Sequence, residues 1–203
     1  TINGRAVEFP EGTTVLEAAR ATGIEIPTLC AHPDLHPVGS CRLCFVEVAP
    51  NGTLATACTL QVSDGLSVQT ETPQLTEIRR AILELLLEDY ADSGYAAGDR
   101  APTEFEKWLA YYGVRRRTTS PARLRYPINA DPNPVLWVDM NKCILCTRCV
   151  RACAEIQGRF VWGVGERGHR ARIVAGADTH LLEARCESCG TCVAYCPTGA
   201  LDD

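Results

Sequence analysis

Eight of this chain's twelve cysteines fall in two copies of one short pattern, and that restricts its folding more than any other feature. Cys143-Ile144-Leu145-Cys146-Thr147-Arg148-Cys149-Val150-Arg151-Ala152-Cys153 returns 43 residues later as Cys186-Glu187-Ser188-Cys189-Gly190-Thr191-Cys192-Val193-Ala194-Tyr195-Cys196. Both copies read Cys-x2-Cys-x2-Cys-x3-Cys, the mark of a duplicated half-module. Thiols spaced so closely converge on one point, whereas a disulfide scaffold pairs cysteines across a fold. A multivalent metal centre is expected, in a reducing, cytoplasmic compartment. Zinc also takes four thiolates, but its modules use two Cys-x2-Cys pairs separated by a dozen residues or more.

Bacterial-type ferredoxins use this run with the first three cysteines on one cluster and the fourth on the other, because the fourth opens a helix leading away from its own loop. Crossed ligation is therefore expected. Cys143, Cys146, Cys149 and Cys196 would hold one [4Fe-4S] cluster, and Cys186, Cys189, Cys192 and Cys153 a second. Pro197 follows Cys196 as the pattern asks, while Ala154 follows Cys153. Gly190 and Gly199 read both as turn formers and as backbone that approaches sulfide closely.

The remaining four cysteines lie near the amino terminus as Cys30-x10-Cys41-x2-Cys44-x13-Cys58. Three ligands on one long loop and a fourth from a distant strand follow the logic of plant-type [2Fe-2S] ferredoxins, with wider spacing. Gly39, Ser40 and Arg42 would form the loop's inner edge, where either a side chain at Gly39 would block the cluster or the glycine simply makes a turn. His32 and His36 share the loop, but four cysteines already complete the site.

The cysteine sets at opposite ends of 203 residues imply separate modules. Residues 1–72 read as a β-grasp [2Fe-2S] domain. Asn3-Gly4 is a type I′ turn signal before a strand Arg5–Phe9. Thr14 and Glu17 make a capping box for a short helix that Gly23 ends, and Phe45–Val48 and Leu54–Ala57 are strands about the Pro50-Asn51-Gly52 turn. Residues 73–134 read as a helical connector and linker. Thr72-Pro73 opens a helix with Leu75, Ile78, Ile82, Leu85 and Leu86 on one face. Thr103 and Glu106 cap another, striped by Phe105, Trp108, Leu109 and Tyr112 and stopped by Gly113. Arg115-Arg116-Arg117 reads as a solvated run or a docking patch, and Pro121, Pro127, Pro132 and Pro134 stiffen a linker separating the modules. Residues 135–203 read as a two-[4Fe-4S] ferredoxin domain, so the fold class is α+β.

Several functions are set aside. A net charge of −5 opposes general nucleic-acid binding. No apolar run reaches the roughly 20 residues of a spanning helix, so direct membrane insertion is not expected. Gly163-Val164-Gly165-Glu166-Arg167-Gly168 matches a dinucleotide fingerprint, but Arg170–Val174 behind it reads as a strand where a helix is required, so a hairpin turn is expected. His169 and His180 read as surface residues, scattered from any nucleophile, and no catalytic residues emerge.

The residues resemble a known family, the amino-terminal portion of the large iron–sulfur subunit of respiratory complex I and its relatives. His36-Pro37-Val38-Gly39-Ser40-Cys41-Arg42-Leu43-Cys44 is similar to that family's [2Fe-2S] loop. Cys143–Cys146 through Glu155-Ile156-Gln157-Gly158, with Trp162, looks most like the diaphorase iron–sulfur subunit of soluble NAD-reducing [NiFe]-hydrogenases, and almost as much like the amino-terminal region of NAD-dependent formate dehydrogenases. The resemblance implies one [2Fe-2S] and two [4Fe-4S] clusters relaying electrons between a flavin/NAD(H)-binding diaphorase subunit and a hydrogenase or formate dehydrogenase catalytic subunit. It equally fits the electron-transfer region of a larger catalytic polypeptide, with a structural or sensory cluster protein as a third reading. The family carries a further His-x3-Cys-x2-Cys-x5-Cys site after the helix at Ile82–Leu87. Here Glu88–Gly94 stands in its place, with no cysteine or histidine between Cys58 and Cys143. That cluster is expected to lie between the other two sites, so either the modules pack closer or a partner's cluster bridges them.

Overall fold

A computed structural model describes residues 1–91, 101–116 and 124–203. The amino-terminal module is a three-stranded sheet in the order β2-β1-β3, with β1 Phe45–Val48, β2 Thr53–Thr56 and β3 Val68–Gln69, all antiparallel. Helix α1, Val15–Ala21, packs on it. Thr14 caps α1 in the expected box. Ile24 N–H to Ala19 O and Gly23 N–H to Arg20 O close its end, with Gly23 at φ 76°. The helix's first N–H groups leave the helix for its neighbours, Val15 donating to Leu60 O and Leu16 to Ala57 O, which fixes the segment carrying Cys58.

Asn3 and Gly4 form the expected turn, both at positive φ. The strand Arg5–Phe9 does not form: only Ile2 and Arg5 bridge, and the other edge of Ile2 is taken by a parallel bridge to Val68. Val7 and Phe9 lie against the core without pairing.

Helix α2, Pro73–Asp89, starts at the Thr72 cap. Its deeply buried line is Leu75, Arg79 and Leu83, while Leu85 is 66% exposed, against the stripe expected from sequence. Leu85 sits two residues beyond Leu83, about 200° around the helix. The buried Arg79 guanidinium donates to Phe45 O, Thr70 O, Tyr112 Oη and Glu71, tying helix to sheet. Helix α3, Glu104–Tyr111, has its capping box and stops at Gly113, φ 63°. Arg116 donates to the carbonyls of Leu87 and Tyr90 at the end of α2, so it acts as a helix cap and not as a solvated charge. Arg117, Pro121 and Asp92-Ser93-Gly94 lie outside the described residues.

The linker stretch 124–134 is held onto the carboxy-terminal module. Asn141 Oδ1 accepts from Arg125 and Tyr126 N–H, and Asn133 Nδ2 donates to Ser188. In that module β4, Trp137–Val138, pairs with β7, Leu201–Asp202, and β5, Trp162–Gly165, pairs with β6, Arg172–Ala175. The β5–β6 pair is antiparallel, so the glycine motif is a hairpin and opens no βαβ unit. Short helices α4, Arg148–Arg151, and α5, Thr191–Ala194, occupy matching places in the two repeats, with a π-helical segment Ala152–Ile156 after α4. An apolar cluster of Leu29, Leu43, Leu83, Phe105 and Tyr112, with Ile144 against it, draws on all three segments.

Candidate metal centres

The amino-terminal loop brings Cys30, Cys41, Cys44 and Cys58 together. Cys41 N–H donates to Cys30 Sγ at 3.5 Å, the Cys44 and Cys58 sulfurs are 3.4 Å apart, and the Cys30 thiol accepts hydrogen bonds from Cys41 and Cys58. Those two donors pull the Cys30 thiol down, whereas donation to Cys30 and burial push Cys41 up. Hydrogen bonds to Cys30 and Cys44, with burial, push Cys58 up. Gly39 is at φ 59°, and a Cβ there would meet Thr59 and Thr56 at ordinary contact distance. Its backbone angle favours glycine. Both histidines engage elsewhere. The His32 ring lies 4.5 Å from that of Tyr195, and His36 N–H donates to Glu155 Oε2 at 2.8 Å.

In the carboxy-terminal module one cavity is lined by Cys143, Cys146, Cys149 and Cys196, together with Met140, Ile144, Ile173 and Thr198. Pairing of β4 with β7 returns the chain end to the first loop and so delivers Cys196 to it. Burial pushes the Cys143 thiol up to about 11 and Cys146 to about 12, and lifts Cys149 well above its usual range. Cys153 lies with the other group, acting on Cys186 and Cys192. Cys189 is the exposed member, drawn down by its hydrogen bond with the Thr191 hydroxyl. The structure thus brings Cys196 of the second copy into the cavity of Cys143, Cys146 and Cys149 and places Cys153 within electrostatic reach of Cys186 and Cys192, and all twelve cysteines are free of disulfides. Among the described residues no set of three or more donors is placed for a single metal ion.

The two loops share a backbone that sequence reading catches only in part. Leu145 and Thr147 of the first repeat, and Ser188 and Gly190 of the second, stand at equivalent positions with positive φ. These turns aim Leu145 N–H at Cys143 Sγ and Ser188 N–H at Cys186 Sγ, and outside them Val161 N–H is directed at Cys153 Sγ. Glycine marks only one of the four positions. Buried free thiols with inward N–H groups are a donor set that fits iron–sulfur clusters, whose sulfurs take thiolate coordination and backbone hydrogen bonds.

Sequence reading also misses the contact between the modules. Arg151 Nη1 donates to His36 O at 2.7 Å and Nη2 to Cys30 O at 2.5 Å and Cys146 O at 3.4 Å. Arg148 Nη2 donates to Ala31 O at 2.7 Å. Tyr195 Oη donates to Asp34 at 2.8 Å. The modules therefore touch directly.

Residues 1–73 match the family model for a 2Fe-2S iron–sulfur cluster binding domain, and residues 133–202 that for the ferredoxin-like domain of NADH-quinone oxidoreductase subunit 3. The chain is 31% identical to the gamma subunit of the NAD-reducing hydrogenase HoxS of Cupriavidus necator, with 99% of this chain and 85% of that protein covered. It is 37% identical to the G 2 subunit of NADH-quinone oxidoreductase of Rhizobium meliloti and 34% identical to the HndD subunit of the NADP-reducing hydrogenase of Solidesulfovibrio fructosivorans. Each of these matches covers 99% of this chain, which spans only 23% and 35% of those two relatives. A crystal structure of NAD+-reducing [NiFe]-hydrogenase in its H2-reduced state aligns with a TM-score of 0.85 at 34% identity, covering 100% of this chain and 85% of that one. Among the described residues no helix is long and apolar enough to cross a membrane.

Proposed function

This chain belongs to the family of the NAD-reducing hydrogenase HoxS gamma subunit, and on that premise we propose that it relays electrons between a flavin/NAD(H)-binding diaphorase subunit and a hydrogenase catalytic subunit. It is an iron–sulfur electron-transfer subunit related to hydrogenase diaphorase and complex I subunits. The observation that supports the proposal is the cavity that gathers Cys143, Cys146 and Cys149 with Cys196 of the second copy, joined through Arg151 to the loop that carries Cys30.

Cys30, Cys41, Cys44 and Cys58 would hold a [2Fe-2S] cluster, Cys143, Cys146, Cys149 and Cys196 one [4Fe-4S] cluster, and Cys153, Cys186, Cys189 and Cys192 the other. The clusters supply one-electron chemistry when bound. The polypeptide shields the thiols, aims N–H groups at them and fixes the modules against each other. The working division is 1–72, 73–134 and 135–203, and the working compartment is cytoplasmic. A formate dehydrogenase catalytic subunit fits the same role, but the three relatives named above are subunits of hydrogenases and of NADH-quinone oxidoreductase.

Anaerobically purified protein should contain about ten iron atoms and similar labile sulfide, from one two-iron and two four-iron sites. A preparation holding zinc alone overturns the proposal. Identifying the subunits that co-purify then tests the partners: a flavoprotein together with a hydrogenase subunit supports the relay, and isolation of neither opposes it.

A second reading is favoured by the small share of two relatives that the chain spans. In it, these residues are the electron-transfer region of a larger catalytic polypeptide. Sequencing the codons after Asp203 tests this, since a stop codon there removes it.

A further inference from the structure

The duplicated motif permits a comparison within one molecule. Arg148 and Arg151 stand in the first copy where the second has Thr191 and Ala194, on α4 and α5 respectively. Both arginines occur only in the first copy, where they reach carbonyls of the amino-terminal module, and both are buried. Their surroundings differ. Arg148 forms an ion pair with Glu104 at 2.7 Å, so its charge is compensated. Among the described residues Arg151 has no carboxylate within 4.0 Å. Its guanidinium instead meets the carbonyls of His36, Cys30 and Cys146, and Glu155, the acidic group that feels its charge, is turned to His36 N–H.

We infer that Arg151 is a positioning residue that clamps the Cys30 and Cys146 ligand loops together and, as a buried cation beside both, favours the reduced form of the two neighbouring clusters. This inference rests on the cluster assignment proposed above. Adding an electron makes a cluster more negative, and a cation nearby in a medium of low dielectric stabilises that state. Bifurcated donation from one rigid guanidinium also fixes the spacing of two loops that belong to different modules, which the point charge of a lysine does less well. Two consequences are separable. Charge sets how readily the pair is reduced, and the fork sets how firmly the loops are joined.

The test compares wild type, Arg151→Gln and Arg151→Lys as loaded protein. Spectroelectrochemical titration with EPR is read for each cluster, and hydrogen exchange is read over residues 30–36. In Arg151→Gln both the [2Fe-2S] cluster and the cluster at Cys143, Cys146 and Cys149 should become roughly tenfold harder to reduce at a fixed potential, a negative shift of about 59 mV for one electron. Exchange over residues 30–36 should quicken. In Arg151→Lys the titrations should return toward wild type while exchange stays fast. Unchanged titrations in a loaded Arg151→Gln protein overturn the electrostatic role, and unchanged exchange in both variants overturns the clamp. If Arg151→Gln fails to load its clusters, Arg151→Lys decides, because wild-type exchange in that variant removes the inference. Wild-type protein without cluster signals indicts the cluster assignment itself and not Arg151.

Discussion

Arg148 on α4 grips Glu104 on α3 with both arms of its guanidinium, Nη1 to Oε1 at 2.7 Å and Nη2 to Oε2 at 3.0 Å. The arginine is buried and the carboxylate is half exposed, so the pair's value lies in what it prevents: a buried guanidinium without a counter-charge. Glu104→Gln should destabilise the protein by about 1–3 kcal/mol, less than for a fully buried pair because water reaches the carboxylate. Thermal unfolding followed by circular dichroism checks this. A melting temperature equal to wild type would show that the pair contributes nothing.

Crossed ligation has a direct genetic test. On the proposed assignment, Cys196→Ser should chiefly damage the cluster that Cys143, Cys146 and Cys149 would hold, since Cys196 lines their cavity. EPR should then lose the signal of that cluster while the one at Cys153, Cys186, Cys189 and Cys192 persists. The reverse pattern refutes the crossed arrangement.

Leu83 and Leu85 are neighbours in sequence and opposites in burial, at 0% and 66% exposure. Leu83→Ala should cost about 2–5 kcal/mol by leaving a cavity. Leu85→Ala should stay within about 0.5 kcal/mol of wild type. Equal losses in chemical denaturation would contradict the orientation of α2.

Thiol chemistry in iron-free protein should single out Cys189. It is exposed and its thiol is drawn below the usual value of 9.0, so its thiolate forms earlier as pH rises. Cys143 and Cys146, held up to about 11 and about 12, stay protonated through the same range. Iodoacetamide near pH 8 should therefore label Cys189 first, as read by peptide mass spectrometry. Earlier labelling of Cys143 or Cys146 would contradict the burial that raises them.

Sequence legibility follows how local the physics is. The capping boxes at Thr14 and Thr103, the Asn3-Gly4 turn and the glycine stops at Gly23 and Gly113 depend on neighbours a few residues away, and all are found in the structure. The thiols could be sorted into sets because their spacing is itself local, apart from the crossing, which comes from the pattern of bacterial-type ferredoxins. Arg79, Arg148 and Arg151 are not legible, because an arginine is buried only when distant carbonyls await it, and their acceptors lie elsewhere in the chain. The stripe on α2 fails at Leu85 for a related reason. The α2 segment is apolar on several sides, so the identity of its neighbours chooses the buried line. Leu145, Thr147 and Ser188 adopt a conformation that glycine would advertise and these residues do not.

The arginine part of the joint between the modules is chemically one-sided. On the amino-terminal side Arg148 and Arg151 bind the main-chain oxygens of Cys30, Ala31 and His36, and the side chains are arginines on the other side alone. A carbonyl belongs to every amino acid, so no substitution deletes it. Replacing Arg148 or Arg151 removes these bonds, whereas a replacement at His36 leaves its carbonyl acceptor in place. The arginine-to-carbonyl part of the contact is therefore exposed to mutation at two codons on one face, while the part built from Asp34 and Tyr195 is exposed on both.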